Sequence, residues 1–273
     1  MTIELRGTLV LLGAGKMGGA MLEGWLKGGA NPKKIAALDP SPPPEVKALI
    51  ERHGVRWNQP VSDITDAEVV LVAVKPQIME DVLPEAVPLG VSNPLIISVA
   101  AGKTIASFER HFGKNAAIIR TIPNTPAAVG RGITAMAANP HVSPVQLQLA
   151  QTLLSAIGEV VVVEDETMID ACTAVSGSGP AYVFYLTECL AAAGAKSGLP
   201  DDLAMRLARA TVAGAGELMR ISSEPPSTLR QNVTSPKGTT HAALQILMAE
   251  NGMQPLFDKA IAAATKRSRE LAS

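Results

Sequence analysis

The chain is 273 residues long, more than one hydrophobic core usually fills, which predicts two domains of roughly 100–150 residues each. Hydrophobic residues make up 47% of it, charged ones 18% and aromatic ones only 3%, so the interior must be built from Ala, Val, Leu, Ile and Met. Lys and Arg number 24 against 25 Asp and Glu, a formal net charge of -1 with no long run of one sign, and a nucleic-acid or membrane-surface role has no electrostatic support.

The first apolar stretch, Leu9 to Ala14, is expected to be a core strand and not a secretory leader, because Glu4 stands where positive charge belongs and glycines follow at once. No segment approaches the roughly 18 uninterrupted apolar residues that span a bilayer. From Leu5 to about Val163, β-branched runs at Thr8 to Leu12, Ile35 to Leu38, Val69 to Val74, Leu95 to Val99 and Ala117 to Arg120 alternate with helical patterns. Such alternation predicts βαβ units around a parallel sheet. A helix over Val145 to Ile157 and a strand over Glu159 to Val163 close this first domain, residues 1–163.

Gly13-Ala14-Gly15-Lys16-Met17-Gly18 lies between the first strand and a helix. The first two glycines allow a tight turn and close approach of a pyrophosphate, the third lets helix and strand pack, and the helix N-terminus offers N–H donors. This context points to a dinucleotide, NADPH or NADH. Asp39 ends the second strand, where an acid would hold the adenosine ribose hydroxyls; a turn residue or helix cap is the alternative. Ser41 is a candidate for the extra phosphate of NADP. Ala73, Val74, Lys75 and Pro76 end one strand and Val99, Ala100 and Ala101 another, so both turns should line the crevice beyond the strand ends, with Pro76 opening a helix.

Beyond Glu164 the β-branched runs stop, and residues 164–273 are expected to form an all-helical domain rich in small residues, a plausible dimer seam. Cys172 and Cys189 lack CxxC spacing and are expected as buried reduced thiols, in keeping with the cytosol. Ser176-Gly177-Ser178-Gly179-Pro180 breaks a helical pattern at a cost of about 1 kcal/mol per glycine and 3 for the proline. Either a new helix starts here, capped by Ser178 or Gly179 with Pro180 in its first turn, or another backbone or a ligand comes close. Val233 to Thr240 collects hydroxyls and glycine before a helix, which suits a small anion such as a carboxylate or an ordinary N-cap loop. No Ser-His-Asp pattern, HExxH or Cys/His metal spacing occurs, no metal is expected, and His53, His111, His141 and His241 are scattered.

These motifs, with Arg120-Thr121-Ile122-Pro123-Asn124-Thr125-Pro126 and Asp170 through Tyr182, resemble the pyrroline-5-carboxylate reductases over nearly the whole chain. The resemblance implies an N-terminal Rossmann-type domain and a helical C-terminal dimerisation domain, active sites completed between subunits, and dimers that often build decamers. It implies that Gly13 to Gly18, Ala73 to Pro76 and Val99 to Ala101 contact the dinucleotide, with Asn58 on the adenosine side. Ser235, Gly238, Thr239 and Thr240 would hold the substrate carboxylate, Thr240 also the ring nitrogen, and Ser176 to Pro180 would form the opposing wall. Three positions depart from the family pattern: Lys16, often Asn or Gln; Lys237, often Gly; and Asp39, where an acid opposes a ribose phosphate. The rivals are a β-hydroxyacid-type dehydrogenase, for which Lys196 is the nearest base, and a dinucleotide-binding sensor without turnover.

Overall fold

The computed structural model describes residues 3–272; the expected domain limits at residues 1 and 273 lie outside them. One compact unit runs to Gly177 and takes the chain back from Ala264, and the other is Ser178–Ala263. This division falls later than residue 163. The chain stays on the first unit after its last strand because Ile169 is buried against Ile122, Ala135 and Ala137.

In the first unit β1 (Thr8–Leu12), α1 (Lys16–Lys27), β2 (Ile35–Leu38), α2 (Pro44–His53) and the short β3 (Arg56–Trp57) form one winding. β4 (Ala67–Val72), α3 (Met79–Ala86), β5 (Leu95–Ser98), α4 (Ile105–Phe112) and β6 (Ile118–Ile122) form the other. β7 (Gly132–Ala138), α5 (Pro144–Leu154) and β8 (Gly158–Val162) extend the sheet, and α6 (Met168–Cys172) follows. The strand order is β3-β2-β1-β4-β5-β6-β7-β8.

Alternate residues of a strand face opposite sides of its sheet. Leu9 and Leu11 therefore join one apolar layer with Trp25 of α1, Ile50 of α2 and Leu153 of α5, while Val10 and Leu12 join another with Met79 and Leu83 of α3 and Phe108 of α4. Trp25 adds a buried bond, its Nε1 donating to the Leu153 carbonyl at 2.8 Å. Helices on both faces explain why β4 and β5 read as continuous apolar runs. The purely parallel expectation needs one correction, since β7 pairs antiparallel with β6. Its sequence, Gly-Ile-Thr-Ala-Met-Ala-Ala, carries little β propensity of its own; pairing with β6 and β8 makes it a strand.

The second unit holds α7 (Gly179–Lys196), α8 (Asp201–Ile221), α9 (Pro226–Asn232), α10 (Thr239–Leu247) and the start of α11 (Met253–Ala272). Small side chains set the seam of α7 and α8: Ala191, Ala204 and Ala208 are buried, and a Cβ added at Gly194 would stand 3.4 Å from that of Ala204. The rest of α7 leaves Val183, Phe184, Tyr185, Leu186 and Leu190 exposed. Both cysteines are free, but only Cys172 is partly covered; Cys189 is exposed because α7 has no neighbour over that face within the unit. Burial pushes the Cys172 thiol above its usual range. Among the described residues no helix is long and apolar enough to cross a membrane.

Candidate active site

β1 pairs with β2 on one side and β4 on the other, setting Leu12 beside both Leu38 and Val72. The two windings run outward from this junction, and a crevice opens beyond the carboxyl ends of the strands. The three glycines of the turn after β1 each do something different there. Gly13 has φ +88, and a Cβ on it would meet the Ala73 carbonyl carbon and oxygen at 2.9 Å; a Cβ on Gly18 would stand 2.2 Å from the Gly13 oxygen. Gly15, the N-cap of α1, has nothing within 4 Å of its added Cβ. Gly13 and Gly18 are thus required by the fold, and the space at Gly15 is open to a ligand. Ala14 is buried, while Lys16 is exposed and Met17 half-buried in the first turn of α1.

Within the chain Asp39 bonds the turns after β1 and β2, as the alternative reading of a turn residue has it. Its Oδ2 accepts the Ala14 N–H at 2.7 Å and its Oδ1 the Ser41 N–H at 2.8 Å. Asn58 pairs with its backbone both ways, accepting from the Asp39 N–H and donating to the Asp39 carbonyl, each at 2.8 Å. The carboxylate therefore staples the glycine turn to the end of β2. Ser41 is exposed beside it.

The other predicted cofactor residues converge on the same edge. β4 ends at Val72, two residues before Val74, yet Ala73 continues the ladder by donating to the Leu12 carbonyl at 2.7 Å. Lys75 is exposed and extended, and Pro76 opens a 3-10 turn, Pro76–Ile78, that leads into α3 instead of starting it. On the next strand Val99 donates to the Val72 carbonyl at 3.1 Å and Ala100 to Ser98 Oγ at 3.2 Å, leaving Ala101 exposed.

The expected substrate residues divide between the units. Thr173–Gly177 is one π-helical turn, in which Ser176 Oγ donates to the Cys172 carbonyl at 2.8 Å. Gly177 lets this turn approach β6: a Cβ there would stand 3.3 Å from Ile122 Cγ1. α7 then begins with Pro180 in its first turn, but Ser178 makes no side-chain cap bond, because the π turn already carries the chain into helical geometry. In the second unit Gly238 is the N-cap of α10, and a Cβ on it would strike Ser235 Oγ at 2.4 Å. Lys237 before it is left-handed at φ +61. Ser235 and Thr239 are exposed and Thr240 half-buried at this helix start.

One participant escaped sequence reasoning except as a member of a longer motif. Asn124, 9% exposed, donates Nδ2 to the Ser176 carbonyl at 3.1 Å and accepts the Ile133 N–H at 3.0 Å. It fixes the π turn to the end of β6; an Asn between two prolines gives no hint of burial. Lys196 lies exposed in the last turn of α7.

A glycine turn at the switch point of a doubly wound sheet, with helices following, defines the class of dinucleotide-dependent oxidoreductases. Residues 8–102 match the family model described as NADP oxidoreductase, coenzyme F420-dependent, and residues 166–271 that described as pyrroline-5-carboxylate reductase dimerisation. The chain is 39% identical over 264 residues to the pyrroline-5-carboxylate reductase of Pseudomonas aeruginosa, spanning 97% of this chain and 96% of that one, and it belongs to the pyrroline-5-carboxylate reductase family. Its pea relative, from Pisum sativum, is 37% identical over 265 residues, with 97% and 96% covered. Among solved structures, the reductase of Coxiella burnetii matches with a TM-score of 0.91 at 34% identity, covering 98% of this chain and 100% of that one. The Plasmodium falciparum pyrroline carboxylate reductase, solved with NADP bound, matches at 0.80 and 28%, covering 98% and 99%.

Proposed function

We infer that the chain reduces 1-pyrroline-5-carboxylate to L-proline with NAD(P)H, the last step of proline biosynthesis. The observation that carries this is the glycine turn at the switch point, in a chain that matches the reductase family along nearly all of its length.

The crevice fits the cofactor: Gly15 leaves open space at the N-terminus of α1, where N–H groups without helical partners meet a pyrophosphate. Gly13 to Gly18, Ala73 to Pro76 and Val99 to Ala101 hold it, with Asp39, Ser41 and Asn58 on the adenosine side. When bound, the reduced nicotinamide supplies the hydride that C5 of the ring receives. Ser235, Gly238, Thr239 and Thr240 hold the substrate carboxylate, the Thr240 hydroxyl hydrogen-bonds the ring nitrogen, and Ser176 and Gly177 are further substrate contacts. These groups orient and do not react, which suits an imine that is already an electrophile once protonated.

Turnover of NAD(P)H with the imino acid, compared with a panel of hydroxyacids, tests the assignment; turnover of a hydroxyacid alone would make the chain a dehydrogenase. Thr240→Ala removes one hydrogen bond to a charged ligand, about 1.5–3 kcal/mol, and should lower kcat/KM roughly ten- to a hundredfold. A loss no greater than that of a surface substitution would remove Thr240 from the site. The dimerisation match over residues 166–271 supports a homodimer at least, and a decamer built from dimers accords with the resemblance. Two free thiols accord with the cytosol.

A further inference from the structure

A relay of polar contacts, buried at Ser268 and Asp170 and partly buried at Glu166, links the end of α11 to the loop after β5, next to Val99, Ala100 and Ala101. Ser268, 6% exposed, donates its hydroxyl to Asp170 Oδ1 at 2.7 Å. The same oxygen accepts Arg120 Nη2 at 3.3 Å, and Arg120 Nη1 donates to Glu166 Oε1 at 3.0 Å. That oxygen also accepts the N–H of Ile105, the first residue of α4, at 2.8 Å. A second contact lies three residues upstream: Gly102 is left-handed at φ +72, and a Cβ on it would stand 3.1 Å from both the Cβ and the carbonyl oxygen of Leu271. The last turns of α11 thus bear on the segment 102–105, directly after Val99, Ala100 and Ala101: at Gly102 by close approach of Leu271, and at Ile105 through Asp170, Arg120 and Glu166. A cavity of about 460 Å³, lined in part by Thr104, Glu166, Thr167 and Arg269, flanks these contacts on one side, while Ile105 packs into the apolar core on the other.

A buried Arg between two acids is a poor way to gain stability, because desolvation offsets most of the attraction, and its use is better sought in what it fixes. We propose that the end of α11 is a clamp that pre-shapes the dinucleotide loop, with Ser268 and Leu271 as positioning residues. This rests on the reading that Val99 to Ala101 contact the dinucleotide. A loop already held in its binding shape loses less freedom when the cofactor arrives, and that difference appears as affinity.

The test compares the full-length oligomer with Ser268→Ala, with Ser268→Thr, which keeps the hydroxyl, and with a chain stopped after Glu270. Ser268→Ala and the shortened chain should raise KM for NAD(P)H roughly five- to twentyfold and speed amide exchange at Ile105. KM for the imino acid should stay as in the wild type and kcat within about twofold, and Ser268→Thr should restore most of the cofactor affinity. Lower melting temperature with an unchanged KM for NAD(P)H would overturn the clamp, and so would faster exchange at Ile105 with unaltered affinity. The dissociation constant for NADPH, read by fluorescence without turnover, keeps this result separate from wild-type activity on the imino acid, which tests the reaction itself.

Discussion

Asp39 stands where an acid is expected to face the adenosine ribose, and each of its carboxylate oxygens also accepts one backbone N–H, from Ala14 and from Ser41. One side chain thus serves the turn and sets the charge beside it. Asp39→Ser should weaken both cofactors by releasing Ala14, while the ratio of kcat/KM for NADPH over NADH rises on the order of tenfold, the worth of about 1.4 kcal/mol; steady-state rates with each cofactor decide this. The glycines separate fold from ligand more cleanly. Gly18→Ala forces a Cβ to 2.2 Å from the Gly13 oxygen and should cost about 3 kcal/mol of stability in a denaturant melt. Gly15→Ala meets nothing within 4 Å and should melt like the wild type, yet bind NAD(P)H at least roughly tenfold more weakly, since a methyl group fills the space the pyrophosphate needs. Normal affinity in the Gly15→Ala variant would empty the crevice of its assigned ligand.

At the scale of elements, periodicity and β-branched runs mark β1, β2, β4, β5 and β8 within two residues of their observed ends. β7 is different, because an Ala-rich segment has no preference that survives outside the sheet. The break at Ser176 to Pro180 is visible as a break, but its form, a π turn drawn against β6 by Asn124, is not. Nor is the partner of Arg120, whose side chain is 4% exposed and lies between Glu166 and Asp170. Removing a buried cation leaves its acids uncompensated. Arg120→Leu should therefore cost about 3 kcal/mol in a urea melt, and an unchanged midpoint would show that the relay bears little of the fold's stability.

At the scale of the whole molecule, the helical unit is short of cover. Phe184 and Tyr185 are 62% and 66% exposed, far more than a monomer usually leaves to water in one contiguous stretch, and they lie inside the segment that matches the dimerisation model. Phe184→Glu should move the sedimentation profile toward monomer, and turnover should fall with it if the active site is completed between subunits. A variant that sediments as the wild type would place the seam elsewhere on the unit.

The sequence by itself determined the glycine turn after β1, the alternation of strands and helices, the helical second half and the hydroxyl-rich loop before α10, because each depends on local chemistry: glycine's freedom, side-chain period, and caps. It also determined the family, through motifs that fall in order along the chain. Only the tertiary structure decided that Asp39 staples the glycine turn, that β7 is a strand, that Asn124 and Arg120 are buried partners, and that residues 264–272 return to the first unit. Most of those features join residues far apart in the chain: 25 positions separate Ala14 and Asp39, 52 separate Asn124 and Ser176, and 98 separate Asp170 and Ser268. A contact of that kind leaves no local pattern, since its energy exists only once both ends have been brought together.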